Sequence, residues 1–412
     1  MKYLLIKDGR VIDPKNNIDQ TLDILIKDEK IIALGKRIKF KEAQVIWAEG
    51  KIVCPGLVDI HVHAREPGQE RKETIRTLSR AAANGGFTTV VACPNTIPPI
   101  DTKKRVREVL NLAKRKSLVN FYTYACITKG MKGKEVVNVK GIKEAGSVGL
   151  TDDGLLVKDR KVMKEAVKEA FKWNIPVCPH CEENEGKRES EAKYLREYIQ
   201  FILKKIPARF HIMHLSLKES VSLMEKAKGD GLPISCEATP HHFLLSERDY
   251  EKYGVSPPLR SKEDVSAIQE GLKRDIIDVI ASDHAPHTPE EKAGPNPPPG
   301  FIGLETTLGL VLTYLVEPGL LSLSDAIRKM TIAPVRILGI KGGELRESFP
   351  ADITIIDPEL EWVVDVSKFE SKGRNCPFAG WRLKGRAVMT IVRGRIIMSR
   401  MKGIKGRFTP KD

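Results

Sequence analysis

The stretch Leu57-Val58-Asp59-Ile60-His61-Val62-His63 is the first of eight short apolar runs between residues 55 and 285. The other runs cover residues 87–93, 119–125, 148–151, 175–180, 210–214, 234–237 and 279–283. Segments with helical periodicity follow most of them, for example residues 70–84, 102–115, 158–173 and 217–228. This alternation is typical of βα units around a parallel sheet. Eight such units over about 250 residues predict an α/β fold of the (β/α)8 TIM-like barrel type.

The two ends of the chain lack helical periodicity. Short apolar runs separated by turn-forming residues fill the first 52 residues and return after about residue 343. This pattern predicts strands in small antiparallel sheets. We therefore expect residues 1–52 and 344–412 to form one composite β-sandwich domain, and residues 53–343 to form the catalytic barrel.

Composition places the chain among globular proteins. Of 412 residues, 41% are hydrophobic and 30% are charged, which excludes collagen-like, low-complexity and largely disordered classes. No apolar run reaches the roughly 18–20 residues that span a bilayer, and the charged Lys7 and Asp8 interrupt any N-terminal signal segment. Seven cysteines, an odd number, do not suit a disulfide framework. We expect a cytoplasmic protein without a membrane partner.

The formal net charge of +15 is unevenly distributed. Residues 371–412 carry 12 lysines and arginines against one acidic residue, so this segment holds +11 and the preceding 370 residues hold +4. A nearly neutral barrel does not favour nucleic acid as the main partner, and the basic segment is typical of a solvated surface. Docking of an acidic partner or RNA to that segment stays a hypothesis.

The histidines cluster where a barrel keeps its active site. Eight of the nine lie at or just after the carboxyl end of a predicted strand. His61 and His63 are two residues apart on a strand, so both can reach one divalent metal. His180, His214 and Asp283 end three other runs, and Asp153 follows the fourth run. Four histidines and two carboxylates exceed the needs of one zinc and suit two metals bridged by a carboxylate and a hydroxide.

Each of these signals also has a purely structural interpretation. The His-x-His pair could be two hydrogen-bonded core histidines, and Asp152-Asp153-Gly154 could be a surface turn. His211 points to the opposite face from His214 and is expected to fill or cap the strand. Cys178 and Cys181 match a thiol–disulfide oxidoreductase spacing, but the motif overlaps a barrel strand instead of a helix N-terminus.

Taken together, these motifs resemble those of the cyclic amidohydrolases, and specifically the dihydroorotases. The resemblance covers nearly the whole chain. The matching segments are residues 55–68, Cys93-Pro94-Asn95-Thr96, Thr151-Asp152-Asp153-Gly154, His180-Cys181-Glu182-Glu183-Asn184, His214-Leu215-Ser216, Pro257-Pro258-Leu259-Arg260, Ser282-Asp283-His284-Ala285-Pro286-His287 and Gly303-Leu304-Glu305. Residues 351–353 and 375–378 resemble the C-terminal β portion of the family.

The resemblance implies reversible cyclisation of N-carbamoyl-L-aspartate to L-dihydroorotate and water in pyrimidine biosynthesis. It also implies two Zn²⁺ ions, one held by His61, His63 and Asp283 and the other by His180 and His214, with Asp153 and a hydroxide between them. The hydroxide would attack the ring amide, and Asp283 would carry the proton to the leaving nitrogen. Arg65, Asn95 and His287 match residues that bind the carboxylate of the small anionic substrate, and Ser256 occupies the position of a further substrate-binding residue.

This sequence departs from the patterns of the cyclic amidohydrolases at two places, and both bear on which relative is nearest in function. Hydantoinases and allantoinases bridge their metals with a carbamylated lysine after the fourth strand, whereas this chain has Thr151-Asp152-Asp153 and no lysine before Lys158 there. Ser256 stands where dihydroorotases commonly have Asn. Three hypotheses stay open. The first is a dihydroorotase, and the second is a related cyclic amidohydrolase, namely a hydantoinase, dihydropyrimidinase or allantoinase. The third is a non-catalytic scaffold or nucleic-acid-binding protein. Formation of a homo-oligomer and association with the preceding pathway enzyme also stay open.

Overall fold

The computed structural model describes residues 3–183, 189–249, 254–408 and 410, so Asn184 of the fifth motif lies outside the described residues. The strands are β1 (Tyr3–Asp13), β2 (Ile18–Lys27), β3 (Lys30–Gly35), β4 (Gln44–Trp47), β5 (Ile52–Pro55), β6 (Leu57–Val62), β7 (Phe87–Ala92), β8 (Asn120–Thr123), β9 (Phe210–Ile212), β10 (Ile234–Ala238), β11 (Val279–Ile280), β12 (Ile353–Val363), β13 (Arg382–Val392) and β14 (Arg395–Ser399).

The α-helices lie mainly between the barrel strands. They are α1 (Ile75–Asn84), α2 (Lys103–Lys116), α3 (Val139–Ala145), α4 (Arg160–Lys172), α5 (Ser190–Tyr198), α6 (Lys218–Gly229), α7 (Pro240–Leu244), α8 (Lys262–Lys273), α9 (Pro289–Ala293), α10 (Thr307–Val311), α11 (Leu323–Lys329) and α12 (Ile332–Leu338). Within the described residues, none of the helices is both long and apolar enough to cross a lipid bilayer.

Local sequence explains where these helices begin and which face they bury. The α2 helix starts after Thr102, whose side chain accepts a hydrogen bond from the Arg105 amide, as expected of an N-cap. Its buried residues Val106, Val109 and Ala113 recur at helical spacing and form one apolar face. The last turn is basic, which suits the negative end of the helix dipole.

All eight predicted runs take part in one closed, parallel barrel. β6, β7 and β8 pair in parallel, as do β9, β10 and β11. The fourth and fifth runs contribute single bridge positions, Leu150 and Val177, which connect residue Ala125 to Phe210. A bridge between Val62 and His284 closes the circle. An apolar cluster fills the barrel below the strand ends, and α12 adds Ile332, Val335 and Leu338 to it. The polar residues of the predicted site are therefore left at the opposite end.

Both chain ends contribute strands to one eight-stranded sheet with the order β14-β13-β12-β5-β1-β2-β3, in which β4 also pairs with β1. One apolar cluster joins side chains from the two ends, among them Ile6, Ile24, Ile353 and Met389. The expectation of a purely antiparallel N-terminal sheet is wrong in one respect, because β4 and β5 pair with β1 in parallel. We propose from this topology that residues 1–52 and 344–412 form one domain beside the barrel of residues 53–343.

Candidate metal centre

His61 and His63 project from the end of β6 into the mouth of the barrel. Both imidazoles are buried, and their Nε2 atoms each lie 3.4 Å from Oδ2 of Asp153. Oδ1 of Asp283 lies 3.4 Å from His61 Nε2 and 3.1 Å from His63 Nε2. Two ring nitrogens and two carboxylates from distant parts of the chain therefore converge on one point.

His180 and His214 form a second pair on the other side of Asp153. Nδ1 of His180 lies 3.5 Å, and Nε2 of His214 lies 3.2 Å, from Oδ1 of the Asp153 carboxylate. The same two ring nitrogens are 2.9 Å apart. Each oxygen of Asp153 thus faces a different histidine pair, as expected of a carboxylate that bridges two metal ions.

The residues present fit divalent metals. The candidate ligand atoms of His61, His63, Cys93 and Asp153 all lie within 4.8 Å of one another, and so do those of Asp153, His180 and His214. Nε2 of His61 is fully buried and has no hydrogen-bond partner within the described residues. A buried polar atom without a partner is rare in proteins, and a metal ion would satisfy this one.

The charge state of the two carboxylates also suits cations. Burial raises the pKa of Asp153, but the charge of His61 and hydrogen bonds from His180 and His214 lower it by more than burial raises it. The pKa of Asp153 therefore lies well below its ordinary value. Burial likewise raises the pKa of Asp283, and the charge of His61 and the contacts of His63 more than offset it. Both groups are therefore ionised at neutral pH.

Three residues of the predicted site have strained backbones. Arg65, His214 and Asp283 have φ angles of 58°, 34° and 46°, in the left-handed region that residues with a Cβ rarely adopt. Such conformations persist only where the surrounding structure enforces them, and they concentrate at functional sites.

Glu237, which the sequence patterns did not single out, supports the histidines from below. Its Oε1 lies 2.5 Å from Nδ1 of His61, and its Oε2 lies 3.0 Å from Nε2 of His211. Burial raises its pKa, but the charge of His61 and hydrogen bonds from His211 and His61 lower it to about 2. An ionised Glu237 accepts the Nδ1 proton of His61 and leaves Nε2 available to a metal. Its position at the end of an apolar run was the only signal in the sequence.

His211 is not among the candidate metal ligands. Its ring lies buried between Oγ of Ser235, 2.9 Å from Nδ1, and the Glu237 carboxylate. The two cysteines with the spacing of a redox pair, Cys178 and Cys181, are both buried and form no disulfide with each other.

Positive charge collects beside the histidines. Nη2 of Arg65 lies 3.2 Å from Nε2 of His287, and Nζ of Lys72 lies 3.4 Å from Nδ1 of the same ring. Burial lowers the pKa of Lys292 to about 8, and the neighbouring Arg65 and Lys72 contribute to this shift. Burial and the same cations lower the pKa of His287 to about 2, so its ring is neutral. Sequence reasoning found Arg65 and His287 but missed both lysines, since isolated lysines carry no motif.

Asn95 and Ser256 lie against the candidate metal ligands. Oδ1 of Asn95 accepts a hydrogen bond from Nδ1 of His63 at 3.0 Å. Oγ of Ser256 lies 3.5 Å from Nε2 of His180. The structure therefore brings all ten sequence-predicted site residues to one end of the barrel, and Asn95 also orients a histidine.

The chain is similar to proteins of known family and structure. The sequence profile of the Amidohydrolase family matches residues 52–397. The dihydroorotase of Acetivibrio thermocellus is 41% identical, with 96% of this chain and 99% of the relative covered. The dihydroorotase of Aquifex aeolicus is 42% identical, with the same shares covered. Among solved structures, an L-hydantoinase (dihydropyrimidinase) from Arthrobacter aurescens has a TM-score of 0.89 at 26% identity and covers 100% of both chains. These likenesses confirm the predicted fold class.

Proposed function

The chain belongs to the amidohydrolase family and, within it, to the dihydroorotases, and from this premise we propose that it interconverts N-carbamoyl-L-aspartate and L-dihydroorotate plus water in pyrimidine biosynthesis. The observation that carries the proposal is the Asp153 carboxylate, whose two oxygens face two separate histidine pairs. Such a centre activates water and an amide carbonyl together, which is what hydrolysis of a cyclic amide needs.

The metal is proposed to be zinc, with two ions per chain. His61, His63 and Asp283 would hold one ion, His180 and His214 the other, and Asp153 would lie between them. When bound, zinc lowers the pKa of water from 15.7 to about 7 and polarises a carbonyl oxygen. Imidazole nitrogen and carboxylate oxygen are ordinary zinc ligands, and the buried Nε2 of His61 is available to one.

Asp283 is proposed to move the proton. In the hydrolytic direction, water attacks the ring amide carbonyl, Asp283 accepts the proton of that water, and the ring nitrogen receives it as the C–N bond breaks. In the reverse direction Asp283 takes a proton from the ureido nitrogen as the C–N bond forms, and gives it to the hydroxyl group that leaves the carboxylic acid carbon as water. A carboxylate that is ionised at neutral pH is in the correct state to begin as a base.

The cluster of positive side chains formed by Arg65, Lys72 and Lys292 is proposed to bind the substrate carboxylate. Arg65 is buried, and its Nε donates to the carbonyl of Pro286 at 3.1 Å, which fixes the guanidinium. A fixed guanidinium can hold a carboxylate through two parallel hydrogen bonds. Asn95, Ser256 and His287 complete the proposed substrate contacts. This charge favours an anionic ring such as dihydroorotate over neutral hydantoin or allantoin.

The test is a substrate panel. Purified zinc-loaded protein should turn over dihydroorotate and carbamoyl aspartate faster than hydantoin, dihydrouracil or allantoin. Absent dihydroorotate turnover alongside good hydantoin hydrolysis would assign the chain to the related hydantoinases instead.

The proposed pathway also bears on where the protein is located and what it assembles with. We place the protein in the cytoplasm because its pathway is cytosolic and all seven cysteines are unpaired. A homo-oligomer, or a complex with the enzyme that supplies carbamoyl aspartate, stays a prediction. The molar mass in solution, measured with and without that enzyme, tests both.

A further inference from the structure

Cys93 lies directly after β7, beside the histidines of β6. Its amide donates to the carbonyl of Val62 at 2.8 Å, so strand pairing fixes its position next to His63. Cys93 is 1% exposed. The sulfur and the ligand atoms of His61, His63 and Asp153 all lie within 4.8 Å of one another. A third type of metal-binding atom, sulfur, is thus present at the first metal position beside imidazole nitrogen and carboxylate oxygen.

These separations are close to those of a metal site. With zinc–nitrogen bonds of about 2.0–2.1 Å and a zinc–sulfur bond of about 2.3 Å, tetrahedral ligand atoms lie roughly 3.4–3.6 Å apart. The four ligand atoms lie within 4.8 Å of one another, so small side-chain rotations would bring them to such a spacing. Nε2 of His61 is fully buried, has no hydrogen-bond partner within the described residues and lies 3.4 Å from carboxylate oxygens of Asp153 and Asp283, which marks this point as a place for a cation.

The other cysteines are differently placed. Cys178 shares a buried apolar cluster with Cys93, Tyr124 and Met213, but it belongs to neither candidate metal-binding group. In the part of the chain that the structure describes, which includes all seven cysteines, Cys93 is the only one found in a potential metal-binding group.

We propose that Cys93 makes the first metal position a site for thiophilic divalent ions such as cadmium, held by Cys93, His61, His63 and Asp153. The S–H bond breaks as the sulfur–metal bond forms, and the proton leaves to solvent. Soft thiolate donors favour soft ions, whereas the carboxylate of Asp283 at the same position favours hard ones. The inference rests on the proposed function only in placing a metal between these side chains.

The experiment is a titration of the chelator-treated, full-length protein with cadmium chloride. Ultraviolet absorption from thiolate-to-cadmium charge transfer reports a sulfur ligand, and equilibrium dialysis reports the amount bound. Cys93→Ser is compared with Cys178→Ala, which removes a buried cysteine outside the site. The wild type and Cys178→Ala should develop the absorption, while Cys93→Ser should lack it and bind cadmium about tenfold or more weakly.

X-ray absorption at the cadmium edge of the wild type shows directly whether sulfur is a neighbour, even if Cys93→Ser does not fold. Nitrogen and oxygen neighbours alone, an undiminished band in folded Cys93→Ser, or no cadmium binding by the wild type would each overturn the proposal. A zinc-loaded dihydroorotate assay tests the proposed function separately, because its failure would not remove the cadmium–sulfur signal.

Discussion

Replacement of Glu237 by Gln should weaken metal binding without unfolding the protein. The carboxylate accepts hydrogen bonds from His61 at 2.5 Å, from His211 at 3.0 Å and from the backbone amide of His214 at 3.3 Å. Glutamine keeps the shape and one acceptor but loses the charge that makes His61 a stronger base. His211 can change tautomer, because the Ser235 hydroxyl on its other side can donate or accept.

The expected loss of metal affinity follows from the role of a carboxylate that accepts a hydrogen bond from a metal-ligating histidine. Outer carboxylates that orient a ligating histidine contribute about 10–100-fold to metal affinity, which equals about 1.4–2.7 kcal/mol. Alternatively, the glutamine amide could donate to Nδ1 of His61, which would place the ring proton on Nε2 and block metal binding further. Either arrangement lowers affinity at the first metal position.

Competition with a chromophoric zinc chelator measures this loss, and thermal unfolding of the metal-free proteins checks the fold. Ser235→Ala is the matched control, since it alters the far side of His211 and leaves the contact between Glu237 and His61 intact. A folded Glu237→Gln protein that holds zinc as tightly as the wild type would refute the role assigned to this carboxylate.

Three further predictions concern catalysis, substrate binding and the loop after β11. Asp283→Ala should abolish turnover with an unchanged circular dichroism spectrum; substantial residual activity would place the proton carrier elsewhere. Lys292, with a pKa of about 8, is charged below that pH and neutral above it, so KM for carbamoyl aspartate should rise as pH passes 8. In Lys292→Gln this rise in the KM–pH profile should disappear, and its persistence would exclude the lysine. Asn375→Ala removes amide hydrogen bonds of 3.0 and 2.9 Å to the carbonyls of Ala285 and Gly300, and should lower the free energy of unfolding by roughly 2 kcal/mol. An unchanged denaturation midpoint would show that this residue does not secure the loop.

The barrel could be predicted from the sequence because its strands are buried on both faces and appear as short apolar runs. The same reasoning placed His61, His180 and Asp283 at strand ends, where a barrel keeps its functional groups. Strand extent was less predictable, since the runs at 148–151 and 175–180 form only the bridges at Leu150 and Val177.

What the sequence did not reveal depends on contacts between distant residues. Glu237 meets His61 across 176 positions, and nothing local to either residue indicates the pairing. Lys72 approaches His287 across 215 positions in the same way. The parallel pairing of β4 and β5 with β1 was also missed, because turn signals and apolar runs define strands but not the direction of their partners.

We propose that a two-metal centre, bridged by Asp153, catalyses dihydroorotate turnover. The most direct test is titration of the metal-free protein with zinc while both bound metal and dihydroorotate turnover are measured. Turnover should saturate at two ions per chain. Full turnover at one ion per chain, or in the chelator-treated protein, would contradict it.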